Sequence, residues 1–212
     1  MANIENIIFD LGNVIINIDL QRTVRAFAQL TSVSFDRLQA ELLQTSFFHD
    51  FETGRLDNLG FRAGIRDWLQ QDLPDSAIDQ AWNALLLDIP AARRALLKNL
   101  RTQFRTFVLS NTNDLHVQAI EAQLGEESLQ HWFERVYYSH DMGLRKPDPV
   151  IYAQVLEENQ LLPQNTLFLD DNPQNVATAR QLGLHTIHIL PGQTDMIQHF
   201  EPNAFGQYRI VF

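Results

Sequence analysis

The chain has no cysteine. Disulfides, thiolate catalysis and cysteine-ligated zinc are therefore excluded, and the composition fits a reducing cytoplasm. Long apolar runs are missing too. Nothing approaches the ~20 consecutive apolar residues that span a bilayer, and the segment around Glu5 runs straight into a strand pattern with no secretory signal. Cationic charge is scarce: 26 Asp and Glu stand against 16 Lys and Arg, a formal net charge of −10. That balance argues against nucleic acid or an anionic membrane as partner. It does not argue against a small phosphorylated metabolite, because one lysine and one divalent cation can reverse the field inside a pocket. Low-complexity tracts and internal repeats are also absent.

What is present is enough apolar material for a core. Of 212 residues 45% are hydrophobic and 20% charged, which suits one large domain or a domain carrying an insertion. Short β-type runs recur at Ile4–Phe9, Phe104–Leu109, Arg135–Tyr138, Thr166–Leu169 and His185–Leu190. They are apolar through most of their length, as strands buried on both faces of a parallel sheet are. Helical signals lie between them. Asn113 is placed to cap a helix carrying Val117, Ile120 and Leu124. Asp148-Pro149 and Asn172-Pro173 each read as N-cap and first helical residue, and Gly183 closes the second of those helices. The expected fold is α/β, a Rossmann-like doubly wound parallel sheet.

The gap between the first two strands is too long for one crossover. Residues 18–88 read as helices at Leu20–Leu30, Phe35–Leu43, Leu59–Leu69 and Ser76–Leu87, an inserted cap above the carboxyl ends of the strands. The core domain is then 1–17 with 89–212. The apolar end Tyr208–Phe212 is expected to dock on the body, an added edge strand being one way to do so.

Four polar clusters follow the strands in order: Asp10 in FDLGNV, Ser110-Asn111 in VLSNTN, Lys146 in LRKPDP, and Asp170-Asp171 in FLDDNPQN. Each alone is ordinary, a turn, a cap or a solvated helix start. Together they support phosphoryl transfer. A carboxylate can attack phosphorus and split hydrolysis into two steps through an aspartyl-phosphate. Further carboxylates beside it make an oxygen-rich site for Mg2+. Ser110 and the backbone N–H of Asn111 can bind phosphate oxygens, and Lys146 adds a fixed positive charge.

These clusters resemble the motifs of the haloacid dehalogenase superfamily over essentially the whole chain. The run FDLGNVI is most similar to the bacterial α-D-glucose-1-phosphate phosphatase subgroup, as is FETGRL at 51–56. The resemblance implies Asp10 as nucleophile, with Ser110 and Lys146 as phosphate-binding and charge-balancing residues. It implies Asp171 as a direct Mg2+ ligand, Asp170 as one directly or through water, and the Gly12 carbonyl as another beside Asp10. It makes the helical insertion a cap whose loop, with Glu52 and Arg55, faces the active site and contacts substrate. A monomer or homodimer in the cytoplasm is expected.

One departure matters. Most phosphatases of that superfamily carry a general acid two residues after the nucleophile, and here that position is Gly12. Three functions remain open. A phosphatase can tolerate the loss where the leaving group is weakly basic, as with an anomeric sugar phosphate. A metal-independent 2-haloacid dehalogenase also lacks the second acid, but burying Asp170 and Asp171 beside Asp10 without a cation is costly. A weakly active or non-catalytic module is the third. Asp19 is either an N-cap for the helix from Leu20 or a substitute proton donor. His185 and His188 read as packing or edge residues, His116 and His131 as helical residues without a metal partner, and Phe47, Phe48, Phe51, Phe61 and Trp68 as the cap's own core.

Overall fold

The computed structural model describes residues 3–42 and 46–212. Its centre is a five-stranded parallel sheet formed by β1 (Asn6–Phe9), β2 (Arg105–Ser110), β3 (Arg135–Tyr138), β4 (Thr166–Asp170) and β5 (His185–His188), in the order β3-β2-β1-β4-β5. Alternate side chains of each strand enter different cores, as a period of two requires. Ile7, Phe9, Val108, Leu167 and Leu169 face one side, with Leu96, Leu97, Ile120 and Trp132 packed over them. Ile8, Phe107, Leu109 and Phe168 face the other, under Ile151, Tyr152, Val155 and Ala179. This burial on both faces explains why the strands are apolar runs rather than alternating ones.

Helices α1 (Leu20–Leu30), α2 (Phe35–Leu42), α3 (Ser46–Glu52), α4 (Asn58–Leu69) and α5 (Asp75–Asn83) fill the space between β1 and β2, followed by α6 (Ala91–Leu100). The expected end of the second helix, Leu43, lies outside the described residues. Val24, Phe27, Phe61, Ile65, Ile78 and Trp82 share a separate apolar cluster, to which α7 (Asp114–Leu124) contributes Leu115. Phe51 stacks on Phe61 with ring centroids 4.1 Å apart, and Trp82 lies 4.9 Å from Phe61.

The chain enters and leaves this helical layer through a two-stranded neck. Asn17 N donates to Asp88 O at 3.0 Å, Leu87 N to Asn17 O at 2.9 Å and Asp19 N to Leu85 O at 2.9 Å. These bonds explain why α5 stops at Asn83, short of the expected Leu87: the backbone of 85–88 pairs with 17–19 instead of continuing the helix. Arg93, on α6, braces the neck from below by donating to Ile15 O (3.2 Å), Asn17 Oδ1 (3.0 Å) and Asp195 (2.8 Å).

Beyond β2 come α8 (Leu129–Trp132), α9 (Ser139–Met142), α10 (Pro149–Glu158) and α11 (Pro173–Gln181). The caps read from sequence form as side-chain bonds. Asn113 accepts from His116 N at 3.1 Å, Asp148 from Val150 N at 2.9 Å and Asn172 from Gln174 N at 2.9 Å. The tail differs from an added edge of the main sheet. Its β6 (Phe200–Pro202) and β7 (Tyr208–Ile210) make a separate antiparallel ribbon.

Phe61→Ala should cost about 3–5 kcal/mol, because it empties a buried aromatic position between Phe51 and Trp82. A lower urea midpoint at unchanged slope would register it. An unchanged midpoint would show that the helical layer does not depend on this cluster.

Candidate active site

The sheet order reverses between β1 and β4, and in open α/β sheets the crevice outside the strand ends at that point is where ligands sit. Phe9 is level with both Val108 and Leu169. Asp10 N then extends the ladder by donating to Leu169 O at 2.8 Å. Asp10 and Asp170 therefore end adjacent strands side by side, and Ser110, buried, ends the strand on the other flank.

Lys146 joins the two aspartates. Its Nζ donates to Asp10 Oδ1 at 2.8 Å and to Asp170 Oδ2 at 2.7 Å, with Lys146 only 1% exposed and Asp10 8%. The lysine is held by its backbone. Asn111 Oδ1 accepts from Lys146 N and Asn111 Nδ2 donates to Lys146 O, both at 2.8 Å. Asp170 also accepts from Asn172 N at 2.8 Å and from Asn175 Nδ2 at 3.0 and 3.1 Å. Asp171 accepts from Asn13 Nδ2 at 2.7 Å, and its carbonyl oxygen lies 3.0 Å from the His188 ring nitrogen.

Four contributors have no signature in the sequence: Asn13, Asn175, Arg145 and the Asn111 side chain. Asn13 and Asn175 lie inside two of the quoted motifs, but an asparagine in a turn or first helical turn carries no signal separating a cap from a carboxylate partner. Asn13 has φ 56°, so the left-handed residue of the first turn is Asn13 and not Gly12. Asparagine tolerates that conformation. A Cβ added at Gly12 would meet only the Ile18 side chain, at 3.1 Å. Asp19 acts as the N-cap of α1, accepting from Gln21 N at 3.0 Å.

Carboxylate oxygens of Asp10, Asp170 and Asp171 all lie within 4.8 Å of one another. Three carboxylates face one ammonium, so negative charge is in excess. Burial pushes Asp10 from 3.8 up to about 7 against the pull of Lys146, with Asp170 and Asp171 adding to the rise. Burial also raises Asp171, opposed by the bond from Asn13. A hard divalent cation supplies the missing charge, and an all-oxygen donor set suits Mg2+. The residues present therefore fit the ion.

The helical layer meets this site at α3 and the turn after it. Glu52 Oε2 pairs with Arg145 at 2.9 Å, one residue from Lys146. Arg55 is exposed and pairs with Asp50 at 3.1 Å within the helical layer, so of the two residues it is Glu52 that meets the core. Gly54, at φ +66°, lies so close to the core that a Cβ would come within 2.2 Å of His140 O. Only glycine permits that approach. Beside it a cleft of ≈ 420 Å³ runs between Phe51, Leu56 and Asn58 on one side and Asp114 and His140 on the other.

A family model for haloacid dehalogenase-like hydrolases matches residues 4–183. The D-ribitol-5-phosphate phosphatase of Bacteroides thetaiotaomicron is 30% identical over 186 residues, 86% of this chain and 90% of that protein. A haloacid dehalogenase-family enzyme of the same organism, solved in complex with magnesium and inorganic phosphate, superimposes with a TM-score of 0.84. It is 32% identical over 90% of this chain and 96% of its own. A hydrolase of Porphyromonas gingivalis gives 0.83 at 32% identity over 91% of this chain and 94% of its own.

The raised Asp10 carboxyl has a consequence for stability. Without metal, Asp10 binds its proton more tightly folded than unfolded. Its contribution is complete below its ordinary value of 3.8 and is lost as pH rises through about 7. Chelated protein should therefore lose this increment of melting temperature between about pH 5 and about pH 8, and Mg2+ should restore more at the upper end. An Mg2+ effect of equal size at both pH values would contradict the charge excess.

Proposed function

The chain belongs to the haloacid dehalogenase-like hydrolases, and from that premise we propose that it is a Mg2+-dependent phosphatase of a small phosphorylated metabolite, a sugar or polyol phosphate. The observation that carries this is the Asp10–Lys146–Asp170 constellation at the switch point, with Asp171 within reach of the same cation. The relative named for D-ribitol 5-phosphate and the related structure holding magnesium and phosphate support the same substrate class and ion. The absence of an α-helix long and apolar enough to cross a membrane, among the described residues, is compatible with a cytoplasmic setting. A monomer or a homodimer is the assembly this reading carries.

Asp10 is the nucleophile in this reading. One of its carboxylate oxygens attacks phosphorus, the P–O bond to the leaving alcohol breaks, and an aspartyl-phosphate forms on Asp10. Water then attacks the phosphorus, the bond to Asp10 breaks and inorganic phosphate leaves. Lys146 pulls Asp10 toward its ionised form and fixes its position, and Ser110 with the backbone N–H of Asn111 binds the non-bridging oxygens. Asp10, Asp170, Asp171 and the Gly12 carbonyl hold Mg2+, which when bound offsets the repulsion between carboxylate and phosphate. The helical stretch 18–88 caps the site, and Glu52, paired with Arg145, is placed to read the leaving group. A dehalogenase working without metal would leave three adjacent carboxylates with one lysine, and a non-catalytic module would have no use for the buried Lys146 bridge.

Two variants test the chemistry. Asp10→Asn should fold and lose turnover; near-parental phosphate release would remove Asp10 from its role. Position 12 tests the missing acid. Without it the leaving oxygen departs with little protonation, so aryl and anomeric phosphates should outrun simple alkyl phosphates at equal binding. Gly12 does not have a positive φ, and only the Ile18 side chain must yield, so Gly12→Asp should fold. It should raise turnover of alkyl phosphates most, up to the ~10²–10⁴ of a placed general acid. A flat dependence on leaving group in the parent would reveal a donor elsewhere.

A further inference from the structure

Arg145 precedes Lys146 in the chain, yet its side chain leaves the catalytic core and crosses to the helical layer. Nη2 pairs with Glu52 Oε2 at 2.9 Å, and Nη1 meets the His49 ring. Both partners lie on α3. The third donor, Nε, is buried and has no acceptor among the described residues. The pair is sunk in the seam, with the side chains of Arg145 and Glu52 only 27% and 28% exposed. Burial raises the Glu52 carboxyl, opposed first by Arg145 and then by Lys146. Glu52 therefore lies within electrostatic reach of the ammonium that bridges Asp10 and Asp170. The other cation of this turn, Arg55, is already engaged by Asp50. Burial and the neighbouring Arg145 and Arg55 push His49 down, so it adds no charge at neutral pH.

The seam beside Lys146 thus presents a closed ion pair whose two charges already match. A neutral, hydroxyl-rich group suits these terms: a hydroxyl can donate to the partly exposed Glu52 carboxylate while the pair stays intact. A second anionic group does not. It could reach Arg145 only by displacing Glu52, which would strand a half-buried carboxylate next to another negative charge. We infer that the Glu52–Arg145 pair is a charge filter, making Arg145 a specificity-determining residue that admits phosphate monoesters with a neutral polyol remainder and rejects those bearing a carboxylate or a second phosphate. This rests on the phosphatase reading above and narrows its substrate class.

Glycerol 3-phosphate and 3-phosphoglycerate provide a matched pair. Both are primary phosphate esters on three carbons, so the lack of an acid at Gly12 handicaps them nearly alike, and they differ in a hydroxymethyl against a carboxylate. With Mg2+ present, the parent should favour glycerol 3-phosphate in kcat/KM by on the order of tenfold or more. Glu52→Gln should move that ratio toward the acid by on the order of tenfold, because Arg145 becomes available to the carboxylate. Arg145→Met should move it the other way and weaken the polyol ester as well. Opposite signs from the two variants distinguish a filter from damage to the fold, which would scale both esters together. Equal kcat/KM for the two esters in a parent that hydrolyses p-nitrophenyl phosphate overturns the filter alone. A ratio unmoved in both variants does the same. Failure of the parent on p-nitrophenyl phosphate as well would overturn the phosphatase reading, and the filter with it.

Discussion

One ammonium group organises the catalytic end of this molecule. Lys146 donates to Asp10 and Asp170 from a position almost closed to water. Two carboxylates ending adjacent parallel strands would otherwise repel each other across the switch point. Removing one member of such a buried set typically costs about 3–5 kcal/mol, because it strands the charges left behind. The lysine is itself fixed from the neighbouring strand end by the paired bonds to the Asn111 amide. All four motifs are therefore one mechanical unit, and a divalent cation would enter a field already shaped for it.

The surplus of negative charge is the chemically useful part. Burial, helped by the neighbouring Asp170 and Asp171, holds Asp10 without metal toward its protonated form against the pull of Lys146. Binding of Mg2+ and ionisation of Asp10 are then expected to be linked. Position 12 adds no further acid to this balance, and the backbone does not enforce its absence. The left-handed conformation falls on Asn13, whose amide steers Asp171. Gly12 has no positive φ, and a side chain there would press only on Ile18; in the proposed mechanism the dependence on leaving group follows from the missing acid.

The helical layer meets the core at the neck formed by 17–19 and 85–88, where α7 also adds Leu115 to its apolar cluster, and at the close approach of Gly54 to His140 with the Glu52–Arg145 pair alongside. The last is a polar contact one residue from Lys146. In the charge-filter proposal, a leaving group held between the two layers must satisfy the same charges that hold the layers together, and that coupling would give a short segment of the helical layer its influence over substrate choice.

Whereas α3, α6, α8 and α9 were not legible in the sequence, the five strands, the longer helices of the insertion, the caps at Asn113, Asp148 and Asn172, and the four clusters at the strand ends were. They rest on local rules: burial on both faces makes a parallel strand uniformly apolar, and a helix start needs an acceptor for its unpaired N–H groups. The end of α5 was not legible, because Leu85–Asp88 keep a helical pattern while their backbone bonds go to a segment nearly seventy residues earlier. The tail was legible as apolar but not as a ribbon of its own, since pairing partners are a choice among distant segments. Asn13, Asn175 and Arg145 carry no local mark of their roles. An asparagine becomes a carboxylate partner, and an arginine a bridge between layers, only when the fold brings another segment to it. Sequence alone determined which chemistry the strand ends could support. Tertiary structure decided which carboxylates share a lysine, where the left-handed turn falls and which cap residue meets the core, because each of those is a distance between residues the chain keeps far apart.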